Sequence, residues 1–166
     1  MNGNDKYTDL YRKQTRLTFH RSLPIAISQV LLALLLAFQL RELIWDSLLK
    51  TWLGGMLLFQ LVWFGIMVAH HRSDRNRRGD PLWMLSHSVV TVLIAAAWGL
   101  GAGLLLFPQG DTLAELLLVV VLTGVAASSL IIHTFSQGSG ALFIWLVLAP
   151  VAVLSLIHIS EPTRPY

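Results

Sequence analysis

The sequence predicts an all-α protein, a polytopic membrane helix bundle of five spans with its N-terminus in the cytoplasm. Two observations carry the fold class. The chain is 55% hydrophobic and 13% charged, about half the charged fraction of an ordinary soluble domain. Its apolar residues also fall in blocks long enough to cross a bilayer, which needs roughly 20 residues in a helix. A third observation sets the orientation. Between two of these blocks lies His70, His71, Arg72, Ser73, Asp74, Arg75, Asn76, Arg77, Arg78, with four arginines in seven residues. Arg and Lys near span ends are retained on the cytoplasmic side.

Residues 1–22 are polar and basic, with Lys6, Arg12, Lys13, Arg16 and Arg21 against Asp5 and Asp9. Tyr7, Leu10, Tyr11, Gln14, Leu17 and Thr18 recur at helical spacing, so 7–21 reads as an amphipathic helix lying on the membrane surface. This polar start also argues against a cleaved secretion signal. The first span is about 23–40, with Pro24 in its first turn, where a missing N–H costs nothing. Eighteen residues at about 1.5 Å each give roughly 27 Å, enough for the hydrocarbon core. Arg41, Glu42, Asp46 and Lys50 make a short neutral connection, flanked by Trp45 and Trp52 as interfacial anchors.

The second span is about 52–70 and ends at the arginine loop. Trp83 marks the return to the membrane, and the third span is about 85–107. A polar turn at 108–111 precedes the fourth span, about 113–133. An uncharged turn at 134–140 leads to the fifth, about 141–158, which passes Trp145 and Pro150. On this layout Arg72, Arg75, Arg77 and Arg78 join the five N-terminal cations on one side. Only Arg41 and Lys50 lie on the other. The arginines are read as topology determinants in contact with lipid headgroups. The pI near 9.7 is explained in the same way, without a nucleic-acid partner.

The third span holds Ala95, Gly99 and Gly103 at a spacing of four. Small residues at that spacing let helices approach closely. The fourth span offers Gly124, Ala127 and Ser128, so these two faces are expected to pack together; a ligand cleft lined by the glycines is the alternative. His70, His71, His87 and His133 fall toward the cytoplasmic ends of helices, as does His20. They are candidates for a metal or pH-sensing site, against the plainer reading that membrane interfaces collect histidine. There is no cysteine. No Gly-rich phosphate loop, HExxH or GxSxG pattern is present, so no catalytic or cofactor-binding residue is assigned and no enzyme activity is expected in these residues. No carboxylate lies in the interior of a span, Glu115 being at the external end of the fourth, which argues against a coupled transporter.

The basic start ending in Ser22, Leu23 and Pro24, two spans and an arginine-rich loop are followed by three further signatures. These are Ala97, Trp98 and Gly99 with Phe107 and Pro108; then 122–127, Leu-Thr-Gly-Val-Ala-Ala; then Leu148, Ala149 and Pro150. This order resembles the N-terminal multi-span input module of bacterial signalling proteins, in which GGDEF, GGDEF/EAL or histidine kinase domains follow. The resemblance covers roughly 7–153. It implies a sensory role in the bacterial inner membrane, signalling often through a homodimer, a further span and then the output domain. Within that role Trp98 and the contact of the third and fourth helices are the expected moving element. A fragment of a small-solute permease and a structural membrane subunit are the alternatives. Residues 154–166 resemble a translated adapter used in sequencing libraries. They are therefore expected to be non-native, with the natural protein continuing past Val153 and 23–153 forming an incomplete transmembrane module.

A reporter fused after Asp111 is expected to be exported, giving a periplasmic signal such as alkaline phosphatase activity. A cytoplasmic signal there would invert the orientation.

Overall fold

In the computed structural model the described residues are 23–73, 81–106, 111–132 and 137–160. They form five helices. These are α1 (Leu23–Leu40), α2 (Asp46–Arg72), α3 (Pro81–Ala96), α4 (Thr112–Ile132) and α5 (Gln137–Ser160). The third span continues beyond α3 as a π-helix, Ala97–Leu105. Four of the spans are long and apolar enough to cross a membrane. In α5 the apolar stretch is Gly140–Val153, within a helix of 24 residues. The N-terminal segment 1–22, Arg75, Arg77, Arg78, His133 and residues 161–166 lie outside the described residues.

The second helix begins earlier than its apolar run. Asp46 and Lys50 belong to its first turns and pair at 2.6 Å, an i,i+4 ion pair worth a few tenths of a kcal/mol at most at an exposed site. Asp111 caps α4, its Oδ1 accepting from the N–H groups of Leu113 at 3.1 Å and Ala114 at 3.0 Å. Hydroxyls within the spans are satisfied locally. Ser86 donates to Leu82 O, Thr123 to Val119 O, and Ser129 to Ala126 O. Such back-bonding lets Ser and Thr sit in hydrocarbon without a partner from another helix.

The bundle is organised around α5. Its most extensive contacts are with the π-helix and with α4, and it also runs along α3. The helix α2 packs on α3 and reaches the π-helix. The shared core includes Leu36, Leu40, Trp98, Leu122, Phe143 and Val147.

This corrects the expected pairing of the small-residue faces. On the third span the expectation holds: Ala95, Gly99 and Gly103 are buried. Gly99, however, lies against the backbone of α5, where a Cβ would overlap the Leu146 carbonyl. Gly103 meets Val151 of α5 as well as Leu122 of α4. On α4, Gly124 and Ala127 are exposed and Ser128 is half-buried. The face turned inward is Leu118, Val121, Leu122, Val125 and Ala126. The reason is volume: α4 fills space with branched side chains, while the close approach is made where α5 needs it.

Gly99→Ala is expected to lower stability by about 1–3 kcal/mol, because the obstructing group is backbone and cannot rotate away. Gly124→Ala, with nothing near its added methyl, is expected to be neutral or to stabilise by up to about 1 kcal/mol. Thermal unfolding of the two variants in detergent measures the difference. Equal midpoints would mean that the close approach of Gly99 to α5 carries no weight.

Candidate functional site

Two features of the bundle interior are not explained by apolar packing alone. The first is a polar cluster. Gln60 lies near the middle of α2, 14 residues after Asp46 and 12 before Arg72, hence about 20 Å from either end. Its Nε2 donates to Gln29 Oε1 of α1 at 3.0 Å, and both residues are buried. Beside them on α3 is His87, only 2% exposed. Its ring meets Trp63 edge-on, with centroids 6.1 Å apart. Thr91, one turn further along, gives its hydroxyl proton to His87 O at 2.8 Å, with its oxygen 3.5 Å from Nδ1. These four polar side chains, with Trp63 and Phe143 among their neighbours, line a cavity of about 20 Å³. That is room for about one water molecule.

The second feature is the π-helix. Here the N–H of Leu106 bonds to Gly101 O at 3.0 Å, five residues back. A π turn carries one extra residue, rotates the chain beyond it, and occurs mostly at functional sites. Trp52 of α2 enters it. Its Nε1 donates to Ala97 O at 2.8 Å, and its ring covers Gly101, where any Cβ would overlap the indole. Trp52 also meets Trp98 edge-on, at 5.6 Å and 74°. Trp98 is fully buried, and its Nε1 has no hydrogen-bond partner. A buried donor left unmade costs about 1–3 kcal/mol. On the opposite face Gly99 rests on Leu146 O. Pro150, four residues later in α5, has no N–H to offer that carbonyl. The π-helix and the proline-containing turn of α5 therefore meet at one point.

Trp52 is thus a buried structural donor, not the interfacial anchor expected from its place in the sequence. His87, in the second turn of α3, is buried inside the bundle with the glutamines. His70 is buried, with Trp83 edge-on at 5.3 Å. His71 is exposed, its ring 6.1 Å from that of His70. Among the described residues no three metal-ligating side chains converge, so the histidines are separate features of α2 and α3. Arg72 is exposed at the end of α2. The Gln29–Gln60 pair was open to detection: they are the two amides buried in otherwise apolar runs, and amides in hydrocarbon seek each other. The meeting of Pro150 with Gly99 leaves no such mark.

Comparison with family models, with curated proteins and with solved structures gives no match to this chain.

Gln29→Leu alone is expected to destabilise the bundle by about 1–3 kcal/mol, because the Gln60 amide loses its partner. The double variant Gln29→Leu/Gln60→Leu is expected to recover most of the loss. Thermal unfolding of the singles and the double closes the cycle, and additive losses would mean that the bond carries no coupling.

Proposed function

We propose that this bundle is the membrane input module of a bacterial signalling protein in the inner membrane. It biases a cytoplasmic output domain, of the cyclic-di-GMP type or the histidine kinase type, that follows residue 153 in the natural chain. The observation that carries the reading is the junction of the π-helix with α5. A sensor needs an element with two arrangements whose balance a stimulus can shift. Trp98 Nε1 is a buried donor without an acceptor, and Leu146 O is an acceptor deprived of its helical donor by Pro150. An extra residue held in the turn between them supplies the second arrangement: resolving π to α rotates Trp98 relative to α5. Rotation or sliding of α5 is then the output.

The size of the cavity at the polar cluster supports the same reading. The cavity at the polar cluster is about 20 Å³, too small for a transported solute. Acidic residues of the described part, Glu42, Asp46, Asp111 and Glu115, sit at helix ends or connections. His87 near the membrane interior favours a second reading, a fragment of a small-solute permease, because intramembrane ionisable residues often mark transport pathways.

Long-read sequencing of the source locus separates the two. A GGDEF, EAL or histidine kinase domain in frame after Val153 is the expected outcome. Further paired spans with midplane breaks instead would favour the permease.

A further inference from the structure

The groove between α1 and α2 has about 460 Å³ and opens on the outside of the bundle past Ile27, Leu31 and Leu61. Apart from Gln60 its lining is aliphatic and aromatic, and nothing among those side chains selects an occupant. The inner cavity differs. Gln29, Gln60, His87 and Thr91 bring polar side chains from three helices to a space of about 20 Å³, and all four are buried. Among the described residues each amide makes one side-chain hydrogen bond, and that bond is to the other amide. An amide carries two N–H donors and a carbonyl with two lone pairs. The NH2 group of Gln29 and the carbonyl oxygen of Gln60 therefore still call for partners, in a place where each unmet group is costly. Turning both amides end for end leaves the same balance, one NH2 group and one carbonyl.

His87 adds a third partner. The hydroxyl proton of Thr91 is already given to His87 O, so toward Nδ1, 3.5 Å away, Thr91 offers lone pairs alone. Nδ1 is then the donor of the imidazole and Nε2 its acceptor. What fits is a molecule of one heavy atom that both gives and takes hydrogen bonds. A polar cavity of this size with two to four partners holds a water, whereas an apolar one stays dry. A cation does not fit. No carboxylate among the described residues lines the space, and a charge there would be uncompensated. We infer that the cavity is a binding site for a single water molecule. The water accepts from the Gln29 amide and donates to Gln60 Oε1 and to the His87 ring, which joins α1, α2 and α3. The register of α1 is thereby tied to α3 as well as to α2. This stands whether or not the bundle is sensory.

The test uses the full chain in detergent micelles, isotope-labelled at the glutamine and tryptophan nitrogens, and reads magnetisation transfer from water by NMR. The signals of Gln29 and Gln60 are assigned by their loss in Gln29→Leu and Gln60→Leu. Water cross-peaks are expected at both side-chain amides, of opposite sign in NOE and ROE spectra, as a long-lived bound water gives. The Nε1–H of Trp98, which is fully buried and lines no part of the cavity, is the dry control. Gln60→Met keeps a straight side chain and removes the carbonyl. In it the water cross-peak at Gln29 is expected to fall to the level of the Trp98 control, with the Trp98 signal itself unmoved. If that variant fails to fold, the wild-type spectra decide alone. Cross-peaks from detergent tails in place of water would overturn the proposal. Cross-peaks of one sign in both spectra would do the same, since they mean exchange with bulk solvent through an open path. So would shifts of the two amide signals when sodium replaces choline in the buffer, which mean a bound cation.

Discussion

In hydrocarbon, a backbone carbonyl without a donor has no water to turn to. Pro150 offers no N–H to Leu146 O inside α5, and the third span meets α5 at that carbonyl. The carbonyl at Leu146 is covered by Gly99, the residue type that lets another backbone come this near. Bringing Gly99 there draws the whole second half of the third span onto α5. The same segment adopts the π form, and its Ala97 O accepts from Trp52 Nε1, which ties α2 to it. The helix α4 then closes the other side of α5 with branched side chains.

The polar cluster is a separate fastening, nearer the middle of α2. An amide pair between membrane helices contributes roughly 0.6–2 kcal/mol, modest beside the van der Waals contact along α5. Its value is specificity. A helix such as α1, apolar along its length, can slide or rotate against α2 at little cost. The bond from Gln60 to Gln29 permits one register. His87 and Thr91 extend the polar contact to α3, so three helices share one small cavity.

The spans were legible because length and hydropathy are set by the bilayer, which is the same for every protein. Partner choice was not, and Gly99 and Gly124 show why. Both sit in small-residue patterns, and such a pattern states that a face can be approached closely without stating by what. Gly99 is selected by Leu146 O; nothing selects Gly124, and it faces outward. Trp52 misled for a related reason. A tryptophan at the edge of an apolar run serves equally as a headgroup anchor or as a buried donor, and the choice rests on whether an acceptor on another helix lies opposite. That acceptor belongs to the π-helix, and the extra residue of a π turn is invisible to a 3.6-residue count. The contacts of His87 were hidden for the same reason, since its neighbours Gln29 and Trp63 lie on other helices.

Gln60 and Trp63 line both the outer groove and the inner cavity. One wall therefore separates whatever fills the groove from the polar cluster. Packing against Trp63 from outside bears on its edge contact with His87, and His87 stands on the helix that becomes the π segment ten residues later. Contiguity alone is not coupling; coupling needs an element with somewhere else to go. The described bundle supplies such an element where the cost is already stored, at the unpartnered Trp98 indole. A rearrangement that gives this donor an acceptor recovers about 1–3 kcal/mol. An energy of that size is comparable with the roughly 1–3 kcal/mol by which ligands typically couple distant sites.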